Sequence, residues 1–279
     1  MCVDSKRDRI GRTILLFSAG AVIAGLLAAA AGAQSFVLSQ NGKSVGSANL
    51  TVKHDGQWIE TASSAKVDMP GLKYSFNENA VFDGGYRISN VKLNGIVNGS
   101  AATVEGKVAG QQFMMTIQAN GNTTNTPLAM HRNAVFFPDF DPAALQALVT
   151  VASAGSGNGL WALVPKQTGT VQSVQLAPND GMQGTLDGAP VAVKHQTLTY
   201  GTEKAEVFSG PHNDLLQVEW TDEGFAMVRQ GFKLTPPPKP LGAPPTKPAD
   251  AGQGTDQGAP QGQQAPPQGQ QPQGQPQQQ

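Results

Sequence analysis

Residues 36–52 read FVLSQNGKSVGSANLTV, and the centre of this stretch, QNGKSVG at residues 40–46, supports two incompatible interpretations. The spacing of Gly42, Ser44 and Gly46 matches the nucleophile elbow of hydrolases, in which the serine lies on a tight turn between a strand and a helix. The pair Asn41-Gly42 is typical instead of a two-residue β-hairpin turn, since both residue types accept positive φ angles. The first interpretation predicts an enzyme, and the second predicts antiparallel strands.

The hairpin interpretation accounts for more of the sequence. Ala48, Leu50 and Val52 alternate with polar residues, which is the period-two pattern of a half-buried strand, so no helix begins after the serine. The elbow interpretation leaves Asn41 without a role. A phosphate-binding loop is excluded as well, because Val37 stands where that motif requires a glycine. We therefore expect a hairpin and no catalytic serine.

The rest of the central region repeats this pattern. Turn-forming pairs recur about every eight to twelve residues and bound alternating segments such as QQFMMTIQA and VAVKHQTLTY. This spacing predicts a mainly β fold, an antiparallel sheet of about a dozen strands. The pairs are Asn41-Gly42, Asp55-Gly56, Pro70-Gly71, Asp83-Gly84, Asn94-Gly95, Asn98-Gly99, Asn120-Gly121, Asp180-Gly181, Asp187-Gly188 and Glu223-Gly224.

One stretch, DFDPAALQALVTVAS, predicts a helix. Asp141 is placed to cap its N-terminus, Pro142 suits the first helical position, and Leu145, Leu148 and Val149 recur at helical spacing. The helix falls between two predicted meanders, residues 35–120 and 160–234. We expect it to cover the concave face of the sheet.

The N-terminal residues 1–33 predict a secretory signal peptide. Four basic residues precede an apolar run over residues 14–31, and Ala31-Gly32-Ala33 is a small-x-small cleavage pattern. We expect export to the periplasm, the cell surface or the medium of a bacterium. The apolar run approaches bilayer-spanning length, so retention as an uncleaved anchor stays open.

The C-terminal residues 236–279 are composed mainly of Pro, Gln, Gly and Ala. Such a segment lacks the apolar side chains needed to offset the entropy of ordering, so we expect a disordered tail. It is either a solubilising extension without a partner or a tether to peptidoglycan or an envelope protein. The folded domain is therefore predicted over residues 34–235.

Composition excludes several classes of function. The single cysteine, Cys2, lies in the predicted signal, so the exported chain would have no disulfide, thiolate metal site or cysteine nucleophile. The net charge of the whole chain is −1, with no basic patch along it, so we expect no nucleic-acid partner. His54, His131, His195 and His212 are widely separated, and we expect no metal, no cofactor and no catalytic residue. A pair of carboxylates of the glycosidase type stays possible, because the distance between two carboxyl groups in the folded protein does not follow from their positions in the sequence.

The stretch FVLSQNGKSVGSANLTV, the mid-chain apolar helix and the closing segment WTDEGFAMVRQGF resemble a group of uncharacterised secreted bacterial proteins. The resemblance spans residues 36–232 and implies an incomplete, strongly curved β-barrel similar to the LolA and LolB lipoprotein carriers and the stress regulator MucB. No functional residue of those carriers maps onto this chain.

A curved sheet covered by one helix predicts a non-enzymatic binding protein whose ligand is a lipid or another apolar small molecule. One alternative is an envelope interaction module that uses sheet edges and the tail. The other is a hydrolase, which no set of residues in the sequence supports. Core packing without a ligand is also open for the residues expected to line the cavity. These are Phe113, Met115, Ile117, Phe136, Phe137, Leu145, Leu148 and Trp161.

Overall fold

The computed structural model describes residues 32–155, 159–166 and 168–236. The predicted signal peptide and the predicted tail lie outside these residues, apart from Gly32, Ala33 and Pro236. Within the described ranges, no helix has the length and apolar character needed to cross a bilayer.

The described residues form seventeen strands, one α-helix and one short 3₁₀ turn, more strands than the dozen expected. In chain order these are β1 (Gln34–Gln40), β2 (Lys43–Asp55), β3 (Trp58–Met69), β4 (Leu72–Asp83), β5 (Ile88–Val97), β6 (Ser100–Ala109), β7 (Gln112–Ala119), β8 (Asn122–Ala129), β9 (Ala134–Phe136), α1 (Pro142–Ser153), β10 (Leu160–Val164), β11 (Thr170–Pro178), β12 (Met182–Leu186), β13 (Ala189–Tyr200), β14 (Glu203–Ser209), β15 (Leu215–Trp220), the 3₁₀ turn (Thr221–Glu223), β16 (Phe225–Arg229) and β17 (Phe232–Thr235).

Strands β1 to β8 form a meander in which each strand pairs antiparallel with the next. Its first turn consists of Asn41 and Gly42, whose φ angles are 49° and 76°. Two consecutive positive φ angles are the requirement of a type I′ hairpin turn. The hairpin predicted from the opening stretch is confirmed, and Ser44 is an exposed strand residue.

The glycine that completes the apparent elbow motif has a separate structural role. Gly46 lies opposite Val67 of β3, and a side-chain carbon at this position would collide with the backbone carbonyl oxygen of Lys66. The register of β1 and β2 shifts nearby, between Leu38 and Ser39. Such an irregularity bends the strand pair. Gly42 is therefore required by the turn, and Gly46 by the close approach of β3.

Strands β10, β11, β13, β14, β15 and β16 pair antiparallel in that order. Strand β16 then pairs with β1, so that the two halves of the chain form one curved sheet. The short β9 adds to β10 in parallel, as the exception to the antiparallel pattern among the described pairings. Among those pairings β8 and β9 are the terminal strands, and the sheet is not closed.

The second half departs from the simple meander that the sequence predicts. Strand β11 pairs with β13, and β12 instead joins β13 to the C-terminal β17. The side chains beneath this extra layer form a small apolar cluster of Val193, Phe208, Leu216, Phe232 and Leu234, separate from the main core. A second hydrophobic surface on the outer side of β13 to β15 explains why the chain folds back there.

The predicted helix is confirmed, and it fills the interior of the sheet. Both carboxylate oxygens of Asp141 cap α1, because the backbone N–H groups of Ala143 and Ala144 donate to them at 3.1 and 2.9 Å. Leu145, Leu148 and six other helix residues are buried. The helix thus lies within the main core, which includes the fully buried Phe36 and Phe113.

One predicted turn is wrong. Asn94-Gly95 lies within β5 and pairs with β4. A side-chain carbon at Gly95 would approach the carbonyl oxygen of Ser75 to 2.9 Å. Glycine is present here because two strand backbones come close together. An Asn-Gly pair in the sequence does not distinguish this requirement from that of a turn.

We expect Gly46→Ala to lower the free energy of unfolding by about 1–3 kcal/mol, the usual range for overpacking, because the added methyl group displaces β3 from β2. The matched control is Gly84→Ala, since Gly84 is exposed and the nearest atom to an added carbon there is 3.6 Å away. Urea unfolding of the two variants and the parent measures the difference. Equal stability of the two variants would contradict the close-approach role.

Candidate functional site

A cavity lies at the end of the sheet where α1 begins. The segment between β9 and α1, Phe137-Pro138-Asp139-Phe140, crosses this end and is called the strap below. The cavity has a volume of about 150 Å³ and is bounded by the strap, by Leu72 and Leu145, and by residues of three turns on the other half of the sheet. We call it the strap pocket.

Four aromatic residues contribute to the wall of the strap pocket. The ring centroids of Phe137 and Tyr200 are 5.1 Å apart, and those of Phe140 and Trp220 are 6.1 Å apart, both in edge-to-face contact. Because aromatic faces carry partial negative charge, such a wall favours a cation as well as apolar groups.

The charged residues of the pocket are mostly acidic. Asp139, Asp141, Glu203 and Glu223 line it, with Lys166 as the single basic residue among its described lining residues. Lys166 Nζ lies 3.0 Å from Asp139 Oδ1, and the Tyr200 hydroxyl donates to Glu203. The ion pair with Asp139 neutralises the charge of Lys166, and the pocket retains an excess of acidic groups.

The titration behaviour of the charged groups is consistent with a negative field in the pocket. Burial, followed by the charges of Glu203 and Asp139, raises the pKa of Glu223. Burial lowers the pKa of Lys166, yet the carboxylates of Asp139, Glu203 and Glu223 outweigh that effect and raise it. The lysine therefore experiences more negative charge than its partner Asp139 alone supplies.

Beneath the pocket, two carboxyl groups meet inside the core. Asp141 and Glu78 are hydrogen-bonded to each other and almost fully buried, at 1% and 3% exposure. Burial raises the pKa of Asp141 to about 6, although the backbone N–H groups of Ala143 and Ala144, which donate to its carboxylate, oppose the rise. Burial, reinforced by Asp141, raises the pKa of Glu78 well above its usual value. Glu78 thus holds its proton more strongly and donates it to the Asp141 carboxylate.

The strap itself is conformationally strained at one residue. Phe140 has a φ angle of 59°, a left-handed conformation that bulky residues rarely adopt. Contacts hold the ring in place, with Phe225 at a centroid distance of 4.5 Å and Tyr74 at 6.1 Å. Strain of this kind persists only where the surrounding structure holds it, and these ring contacts fix the conformation of the strap.

The eight residues predicted to line a cavity are distributed over three environments. Phe137 and Leu145 line the strap pocket. Trp161 is half-buried and stacks on His131, with ring centroids 3.9 Å apart. The remaining five are buried in the main core, namely Phe113, Met115, Ile117, Phe136 and Leu148.

The histidines lie in separate environments of the fold. His54 is exposed on β2, whereas the Nε2 atom of His195 lies 2.7 Å from Glu206 Oε2 and its ring stacks on Phe208. Within the part of the chain that the structure describes, no three His, Cys, Asp or Glu side chains are grouped to hold a metal ion. The carboxylates of the strap pocket therefore do not form a metal-binding set.

Sequence reasoning did not identify Lys166, Tyr200, Glu203 and Glu223 as neighbours. They belong to the β10–β11 connection, the β13–β14 turn and the β15–β16 turn, which meet only because the sheet curves. Each taken alone is an ordinary turn residue. The signal that could have found the site is the segment 137–141, where Asp139 and Asp141 alternate with aromatic residues.

The sequence matches no known family model and no curated protein. Two solved structures are similar. One is a β-barrel-like protein of the domain of unknown function DUF1849 from Brucella abortus, with a TM-score of 0.46, 9% identity, and coverage of 72% of this chain and 95% of that one. The other is a DUF1089 family protein from Pseudomonas aeruginosa, with a TM-score of 0.37, 10% identity, and coverage of 75% and 94%. The likeness to the lipoprotein carriers stays a prediction.

We expect Glu78→Gln to stabilise the protein increasingly as the pH rises. A raised pKa means that the folded protein holds the Glu78 proton more tightly than the unfolded chain, so stability is lost as pH rises from 4.5 through the folded-state pKa. Glutamine keeps the donor to Asp141 and cannot lose it. The gain in unfolding free energy should grow steadily between pH 5 and pH 8 in urea titrations.

Glu105→Gln is the control for this measurement. Glu105 is exposed, and its hydrogen bond to Lys92 lowers its pKa, so its replacement should produce no gain that grows with pH. If both variants show the same dependence on pH, the buried carboxyl pair does not hold the extra proton.

Proposed function

We propose that this chain is a non-enzymatic binding protein that takes a small organic cation, an ammonium group with an apolar part, in the strap pocket. The observation that carries the proposal is the convergence of four aromatic rings and four carboxyl groups on one cavity that contains a single lysine. Aromatic faces and carboxylates together are the usual recognition elements for ammonium groups.

The arrangement supports distinct positions for the two parts of such a ligand. Glu203 and Glu223 belong to neighbouring turns and carry the charge that Lys166 does not neutralise. Phe137, Phe140 and Trp220 offer apolar surface next to them. The ammonium group would lie among the carboxylates, and the apolar part against the rings.

The size of the pocket favours a small ligand over a long acyl chain. A cavity of about 150 Å³ is below the roughly 300–1,000 Å³ typical of sites for drug-sized molecules. The apolar residues that the sequence assigned to a lipid cavity are largely packed against α1 and against one another. Binding is therefore proposed at the end of the sheet, with its interior as the supporting core.

The cellular setting of the proposal rests on the sequence. The N-terminal charge pattern, apolar run and small-x-small site support export, so the ligand would be met outside the cytoplasm. A binding role is favoured by the carboxylates and aromatic rings that line the pocket.

We expect benzylammonium to bind saturably and benzyl alcohol, its neutral isostere, to bind more weakly. Titration at low salt, followed by calorimetry and by tryptophan fluorescence, measures both. Glu223→Gln should weaken benzylammonium binding about threefold, in line with an exposed charge pair of roughly 0.7 kcal/mol. The affinity should also fall with added salt.

Asp222→Asn is the matched control, because Asp222 is an exposed acid in the same 3₁₀ turn but does not line the pocket. It should leave the affinity within about 1.5-fold of the parent value. Equal affinity for the alcohol and the amine would refute the cation site. Failure of both probes, together with retention of the full chain on peptidoglycan or envelope proteins, would favour the interaction module instead.

A further inference from the structure

A second site lies at the opposite end of the sheet and has the opposite charge. The β4–β5 turn, the β6–β7 turn and the segment after β8 meet there, because alternate turns of an antiparallel meander fall at the same end. Together they border an open groove of about 540 Å³, lined by Arg87, Gln111, Met130, His131 and Arg132 with Gly110 and Ala129. We call it the basic groove.

The cationic side chains of the basic groove differ in how firmly they are held. Two guanidinium nitrogens of Arg87 each lie 2.6 Å from Asp83 Oδ2, so its orientation is fixed while half of its side chain stays exposed. The Asp83 carboxylate also accepts from the backbone N–H groups of Gly85 and Arg87, and it is not among the lining residues. Arg87 is a positioned donor with free N–H groups.

His131 is held in the wall of the groove by stacking. Its ring lies 3.9 Å from that of Trp161 with an angle of 13° between the planes. Stacking occupies one face of the imidazole and leaves the ring nitrogens at the edge for hydrogen bonds. The backbone N–H of Met130 donates to Gln111 O at 3.1 Å, which ties the segment before the histidine to the β6–β7 turn.

Arg132 is the second guanidinium group of the groove. It is exposed, and it forms no ion pair with any residue in the described ranges. Among the described residues that line the groove none is acidic, and Met130 and Ala129 add apolar surface beside the basic groups. Two guanidinium groups and an imidazole facing one cavity match a multiply charged oxyanion, which can accept several N–H donors at once.

We infer that the basic groove binds a phosphate-bearing ligand through Arg87, His131 and Arg132. The site is independent of the strap pocket in its residues, its location and the charge of its ligand. The volume of the groove lies within the range of small-molecule sites, so the phosphate can carry an organic group against Met130. Such a phosphate could belong to a soluble compound or to a phospholipid headgroup.

The test uses the full chain and two probes. Phenyl phosphate is titrated into the protein while the ring signals of His131 are followed by NMR, and vesicles with and without phosphatidylglycerol are tested by co-sedimentation. We expect saturable binding in at least one arm. Binding in the first arm indicates a soluble phosphate compound, and binding to the anionic vesicles alone indicates a lipid headgroup.

Comparison of Arg132→Gln with Lys107→Gln distinguishes binding in the groove from nonspecific attraction by positive charge. Both residues are exposed cations toward the same end of the sheet, but Lys107 does not line the groove. Arg132→Gln should lower the affinity about tenfold, the usual effect of losing a hydrogen bond to a charged group, and Lys107→Gln by less than about twofold. Absence of binding in both arms, or equal losses in the two variants, would overturn the inference.

Discussion

The pairing of β1 with strands on both of its sides is the constraint on which the rest of the structure depends. This seven-residue strand joins β2 of the first half to β16 of the second, and Phe36 and Leu38 on its inner face are fully buried. At its end, the backbone N–H of Asn41 donates to Gly224 O at 2.7 Å. The β1–β2 hairpin turn therefore positions the 3₁₀ turn that carries Glu223. The geometry of the strap pocket thus depends on a hydrogen bond from Asn41, a residue distant in sequence from those that line the pocket.

The second constraint is the filling of the sheet by α1. A sheet of this curvature either encloses a cavity or buries its inner face against other elements. Here the helix occupies the interior, with Leu145 and Leu148 in the core. Its N-cap residue, Asp141, contacts the buried Glu78. Space for ligands is left at the two ends of the sheet, where turns converge. The strap pocket and the basic groove lie at those ends.

The sequence predicts local structure well because local structure depends on short-range chemistry. Asn41-Gly42 specifies its turn through backbone conformation, and Asp141-Pro142 specifies the start of α1 through capping. By contrast, the pairing of β16 with β1 and the extra β12–β17 layer arise from curvature and long-range burial, which no short motif encodes. The strap half of the pocket could be suspected from its aspartates and aromatic rings. The proximity of Glu203 and Glu223 could not be predicted, because their two turns become neighbours only through the curvature of the sheet.

The charge at the acidic end of the sheet agrees with the direction of the helix. The N-terminus of α1, which carries a partial positive charge, lies at the end where Asp139, Asp141, Glu203 and Glu223 collect. The C-terminus, with partial negative charge, lies toward the other end, where Ser153 donates to Asn213 beside the β14–β15 turn. The positive end of the helix dipole therefore lies beside the acidic pocket, where it stabilises the Asp141 carboxylate that caps the helix. The last turn of α1 contains neither a basic residue nor a residue of the groove, so the positive charge of the basic groove comes from the turns that form it.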